Sequence, residues 1–102
     1  MAEVKVTQAS RVVPGTGVVV DAAGQAIAVF NVGGTYYAIA NACTHRGGPL
    51  GEGRLDGTTV TCPWHGSQFD VTSGQVRRGP AQQPVASYPV RVQGDDVLVS
   101  LP

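Results

Sequence analysis

Short runs rich in Val, Ile, Thr and Tyr are punctuated by Gly and Pro along the whole chain. Apolar residues that recur every second position, between turn-forming residues, are the mark of half-buried strands. On this basis strands are predicted over residues 4–7, 18–21, 26–32, 35–40, 58–61, 68–71, 88–93 and 97–101. In the last two, Tyr88, Val90 and Val92 share one face, as do Val97, Val99 and Leu101, because strand side chains alternate with a period of two. Gly33-Gly34 and Gly94-Asp95 stand where two-residue hairpin turns tolerate positive φ, and Thr72-Ser73-Gly74 closes another hairpin. No segment holds a helical period for more than about two turns, and no internal repeat or low-complexity tract is present. Phe30, Tyr36, Tyr37 and Tyr88 are assigned to core and sheet-face packing. The pattern predicts an all-β protein.

Composition narrows the function more than the fold. A chain of 102 residues fits one domain, 1–102, with a modest core of its own. The formal net charge is zero and 14% of residues are charged, which offers neither a nucleic-acid footprint nor an electrostatic membrane anchor. The first residues, Met1-Ala2-Glu3-Val4-Lys5-Val6, form neither a basic n-region nor an apolar h-region, and no stretch approaches the ~20 apolar residues of a bilayer span. A cytoplasmic protein that binds no nucleic acid and no membrane is expected.

The chemistry is concentrated in four residues. The chain has two Cys and two His, and all fall in two mixed pairs, Cys43-Thr44-His45 and Cys62-Pro63-Trp64-His65, separated by sixteen residues. Each pair can reach one metal centre from one loop, so two loops must converge. A structural zinc accepts the same Cys₂His₂ set, although zinc-finger spacings usually place Cys with Cys and His with His. A Cys43–Cys62 disulfide is a second alternative, disfavoured where no secretory signal is seen. A Cys/His nucleophile pair is a third, and it leaves one Cys and one His without a role.

The flanking residues carry a resemblance. Cys43-Thr44-His45-Arg46-Gly47-Gly48 and Cys62-Pro63-Trp64-His65-Gly66-Ser67-Gln68-Phe69-Asp70 are similar to the two cluster loops of Rieske proteins. The resemblance implies one [2Fe-2S] cluster, with Cys43 and Cys62 on one iron and His45 and His65 on the other. It also implies a Rieske-like antiparallel β-sandwich with a cluster-binding subdomain formed by two loops, around 43–53 and 62–70. The subfamily it points to is the small, low-potential, oxygenase-associated ferredoxins, which are not enzymes but carry single electrons from a flavin reductase to a terminal oxygenase. A monomer is expected. Two alternatives are kept, a small Rieske subunit of a nitrite-reductase-type complex and a zinc-stabilised interaction module with no redox role. Nothing else looks catalytic, since both histidines are already used and no Gly-x-Gly-x-x-Gly opens a helix.

The same resemblance assigns neighbours to the cluster. Gly47, Gly48, Gly51, Gly53 and Gly66 let backbone N–H groups approach sulfur, although turn chemistry alone accounts for them equally well. Pro63 stiffens the second loop, and Gly79-Pro80-Ala81 resembles the proline loop that covers the cluster from one side. Gly48 and Trp64 stand where the cytochrome bc type carries two disulfide-forming cysteines. Ser67 matches a hydroxyl donor of that type, whereas Phe69 replaces its Tyr donor. Neutral imidazoles in place of two thiolates raise the potential, and Rieske centres span roughly −150 to +300 mV. With one donor lost, a potential in the lower part of that range is implied, flat near neutrality and falling at alkaline pH. Arg46, Arg77 and Arg78 flank the loops and are read as solvated turn charges, with a mildly positive docking rim around the cluster as the alternative.

Overall fold

A computed structural model describes residues 2–44, 47–64 and 66–102; His45, Arg46 and His65, three positions the sequence marks, lie outside the described residues. Among the described residues the architecture is three antiparallel sheets. The first contains β1 (Ala2–Gln8), β11 (Asp96–Leu101) and β10 (Val90–Gln93), in that order. The second runs β2 (Gly17–Ala22), β3 (Gln25–Val32), β4 (Thr35–Ala40), β9 (Ser87–Tyr88). The third runs β5 (Arg54–Asp56), β6 (Thr59–Thr61), β7 (Gln68–Asp70), β8 (Val76–Arg78). Short 3₁₀ turns occupy Ala9–Arg11 and Leu50–Glu52.

The turns follow local chemistry. Gly33 and Gly34 have φ of 59° and 96°, the double positive-φ signature of a type I′ turn, and they close the Val32–Thr35 pair of β3 and β4. Gly94 (φ 63°) opens the two-residue turn between Gln93 and Asp96. The 72–74 turn closes the β7–β8 hairpin as expected, with Phe69 opposite Val76.

β3 couples two hydrophobic cores. Ala28 and Phe30 point into one, with Ile39, Leu50, Val60, Phe69 and both cysteines. Ile27 and Val29 point into the other, with Val12, Ala38, Val97 and Val99. This is the period-two alternation of a strand buried on both faces. Val97, Val99 and Leu101 are buried together as predicted.

Three expectations need correction. The single strand expected over 88–93 is two, because Pro89 has no N–H to donate. Tyr88 pairs with Ala38 in the second sheet, while Val90 pairs with Val99 in the first. Tyr88 and Val90 still pack on one core, but Val92 is exposed. Strands at Arg54–Asp56 and Val76–Arg78 were not expected. They are the two edges of the third sheet, so the second of the expected loops is the β6–β7 turn of this sheet and the first leads into its edge strand β5.

Candidate metal centre

The two cysteine loops are built alike. In the first, Ala42 and Pro49 form an antiparallel bridge that encloses residues 43–48. In the second, the Thr61–Gln68 pair of β6 and β7 encloses residues 62–67. The Cys43 N–H donates to the Gly48 carbonyl (2.9 Å), and the Cys62 N–H donates to the Ser67 carbonyl (2.7 Å). Returning bonds run from the Gly47 N–H to the Cys43 carbonyl (2.7 Å) and from the Gly66 N–H to the Cys62 carbonyl (3.1 Å). Gly47 and Gly66 adopt matching φ values of 76° and 78°, which an L side chain rarely takes. Each loop therefore opens on a cysteine and closes with the same two hydrogen bonds.

Both thiols face inward. Cys43 is 3% exposed and Cys62 is 2% exposed, and neither is in a disulfide. They belong to one core with Phe30, Leu50, Val60 and Phe69, which seats them on an apolar floor. Gly48 brings the loops together. A Cβ there would fall 2.6 Å from Cys62 Sγ and 3.1 Å from the Cγ of Trp64, so only glycine lets the first loop lie against the second. The two positions that resemble a disulfide pair are thus in contact here through packing. Trp64 lays its inner edge over Gly48 and remains 57% exposed.

Expected neighbours of the centre divide by role. Ser67 is fully buried, and its Oγ accepts the Ala81 N–H (3.0 Å), leaving its own proton to donate. Pro80 is exposed and follows a cis Gly79–Pro80 bond, and Phe69 is fully buried on β7. Gly51 and Gly53 make close backbone approaches, to Val18 and to Thr61 respectively. The N–H groups of Gly47, Gly51, Gly53 and Gly66 donate to oxygens of Cys43, Asn41, Leu50 and Cys62, which is turn chemistry rather than the expected donation to sulfur. Arg77 and Arg78 are exposed on β8, and Arg77 donates to the Asp70 carboxylate.

Sequence reasoning missed three residues that shape this region. Thr44 Oγ1 donates to the Gln83 carbonyl (2.6 Å). Asn41 Oδ1 accepts the Gly51 N–H (2.8 Å) and its carbonyl accepts the Leu50 N–H (2.8 Å), which sets the exit of the first loop. An Asn shortly before a ligand loop is a usable signal for such a turn. Asp70 accepts from the Thr72 N–H and hydroxyl and from Arg77. Burial pushes its carboxyl up, but the Thr72 hydrogen bonds and Arg77 outweigh this and hold it below the usual carboxylate range. A depressed folded pKa contributes stability that is complete above the unfolded value of about 3.9 and is lost as pH falls through the folded one. Asp70→Asn is accordingly expected to narrow the stability gap between pH 6 and pH 3 relative to wild type, as read by urea midpoints at the two pH values; an unchanged gap would contradict this role.

The donor set and its setting suit an iron–sulfur group. Two buried, unbridged thiols are brought together, with backbone pressed against sulfur and a buried Ser67 hydroxyl whose proton has no acceptor among the described residues. Comparison with known proteins agrees. Residues 2–89 match the family model for the Rieske [2Fe-2S] domain. The chain is 44% identical over 77 residues to the 3-phenylpropionate/cinnamic acid dioxygenase ferredoxin subunit of Escherichia coli (strain K12), covering 74% of this chain and 73% of that protein. It superposes on the ferredoxin of carbazole 1,9a-dioxygenase from Nocardioides aromaticivorans IC177 with a TM-score of 0.93 and 31% identity, over 98% of each chain. It is also similar to a chain in a complex of reduced oxygenase and oxidised ferredoxin in carbazole 1,9a-dioxygenase, with a TM-score of 0.89 and 37% identity over 96% of this chain and 92% of that one. A family match spanning most of the chain, on a site with this geometry, means that the protein belongs to the Rieske [2Fe-2S] domain family.

Proposed function

We propose that this chain is a one-electron carrier that takes electrons from a flavin reductase and delivers them to a terminal oxygenase, with Cys43, Cys62, His45 and His65 as the cluster ligands. The observation that carries the reading is the pair of matched loops, which present two buried thiols across Gly48. When bound, the [2Fe-2S] cluster accepts and releases a single electron. The chain's own part is to hold the thiols as ligands, to keep water from them with the Phe30–Leu50–Phe69 floor, and to offer the Ser67 hydroxyl proton to negative charge. The oxygenase as acceptor is supported by the relatives, which are ferredoxins of dioxygenase systems, one of them in a complex with its oxygenase.

In this proposal residues 1–102 act as one monomeric unit, and the cytoplasm is its place, where a reducing pool keeps Cys43 and Cys62 available to iron. Among the described residues no helix is long and apolar enough to cross a membrane.

The test is electron paramagnetic resonance after dithionite reduction. A rhombic signal with average g below the free-electron value, and below that of an all-thiolate cluster, is expected. A colourless protein with stoichiometric zinc would overturn the proposal. Rapid oxidation of the reduced protein by a terminal oxygenase of a ring-hydroxylating system is the expected partner result; inertness toward such oxygenases would remove the acceptor assignment.

Ser67→Ala removes a donor to the reduced state, so the midpoint potential is expected to fall by about 20–60 mV. That span corresponds to the ~0.5–1.5 kcal/mol of one hydrogen bond in a one-electron couple. Phe69→Tyr is expected to raise it. Protein-film voltammetry checks both, and a potential that moves in neither variant would refute this account of the tuning.

A further inference from the structure

Residues 79–86 connect β8 to β9 and are held near the far end. The Val85 N–H donates to the Gly74 carbonyl (2.9 Å). Gly74 has φ 82°, and a Cβ there would sit 2.1 Å from the Val85 carbonyl oxygen, so the approach admits only glycine. Between its ends this strap meets both cysteine loops through side chains. Ser67, the last residue of the second loop, accepts the Ala81 N–H (3.0 Å) across 14 positions of sequence. Thr44, between Cys43 and His45 in the first loop, donates to the Gln83 carbonyl (2.6 Å) across 39 positions. Thr44 and residues 80–83 also line one surface depression.

We propose that Thr44 is a positioning residue for the cluster. Its hydroxyl fastens the strap to the first loop while Ser67 fastens the same strap to the second, so the strap ties the two ligand loops together without a covalent link. The inference rests on the cluster reading above. Each loop is closed by its own backbone bonds, which fix its internal shape but not its distance from the other loop. Above the apolar floor and the β5–β6 pairing that the loops share, that distance is held by Trp64 packed over Gly48 on one side and by the strap on the other. Losing the Thr44 bond removes one of these two ties and lets the loops part, which is the motion that releases iron.

The test compares Thr44→Val, which keeps the shape and removes the hydroxyl, with Thr44→Ser, which keeps the hydroxyl, in the cluster-loaded protein. Iron release to a chelator is expected to be about fivefold faster in Thr44→Val, within the range one intramolecular hydrogen bond accounts for. Hydrogen exchange at the Ala81 amide should quicken by a similar factor, while Val29 and Val99 amides in the remote core stay as in wild type. Thr44→Ser should lie within about twofold of wild type on both readings. Equal release in wild type and Thr44→Val would overturn the proposal. So would faster release without faster Ala81 exchange, because the strap would then play no part, and so would failure of the serine variant to restore either. A wild-type protein that holds no iron would instead overturn the cluster reading itself, a result iron and sulfide analysis gives before any variant is made.

Discussion

Cys62→Ala is expected to purify as a colourless protein that has lost all visible absorption and all low-temperature paramagnetic signal, yet keeps a folded β-core. The two halves of this expectation come from different parts of the molecule. Cys62 opens the second loop and is 2% exposed, and the proposed ligand set has no spare sulfur, since the chain contains two cysteines in all. The core formed by Ile27, Val29, Ala38, Val97 and Val99 is separate from the one containing the thiols. It therefore has no need of the cluster. Metal binding contributes folding free energy where the ligands are, so loss of protection should be local. Hydrogen exchange should speed at β6 and β7, which carry the second loop, and remain slow at Val29, Val97 and Val99. A coloured, paramagnetic Cys62→Ala protein would exclude Cys62 as a ligand, and uniform loss of protection would show that the two cores are one cooperative unit.

The part of this molecule that was legible in advance is the part fixed by local rules. β4 was placed at its observed bounds because Gly33-Gly34 dictates the turn before it and its Tyr-Tyr-Ala-Ile run suits a half-buried strand. That Cys43 and Cys62 meet in one core was legible for a similar reason, because each stands at the head of a short loop with its own turn residues. β5 and β8 were not. Arg54, Asp56, Arg77 and Arg78 are exposed edge positions, and what makes these segments strands is pairing with β6 and β7 rather than any apolar alternation of their own. Pro89 was visible in the sequence, but that the chain changes sheets there depends on where β4 and β11 lie. The strap was least accessible of all. Its bonds to Ser67 and Thr44 join residues 14 and 39 positions apart, one to a backbone N–H and one to a carbonyl, groups every non-proline residue carries.

Phe30→Ala is expected to cost about 3–5 kcal/mol, a large share of the roughly 5–15 kcal/mol that holds a domain folded. Phe30 is fully buried and lies between two partners on one face of the second sheet. Its ring covers Gly17, the residue paired with it on edge strand β2, and a Cβ at Gly17 would fall 2.5 Å from Cδ1 and Cε1 of that ring. An aromatic ring laid over an edge-strand glycine shields backbone that would otherwise be bare. On the other side Phe30 pairs with Tyr37, an aromatic cross-strand neighbour. Below them the same core contains Leu50, Phe69 and both cysteines. Truncation thus opens a cavity under the thiols as well as beside the edge strand, and two readings should move together. The urea midpoint should drop by about 1 M or more, given slopes of about 1–3 kcal/mol/M, and the cluster should be lost faster than from wild type. Val13→Ala, at a position 61% exposed, should leave both unchanged. Gly17→Val approaches the same contact from its other side and should also destabilise. If Phe30→Ala lowered the midpoint while cluster loss kept its wild-type rate, the apolar floor would be a fold device alone, and the loops and strap would suffice to hold the thiols in place.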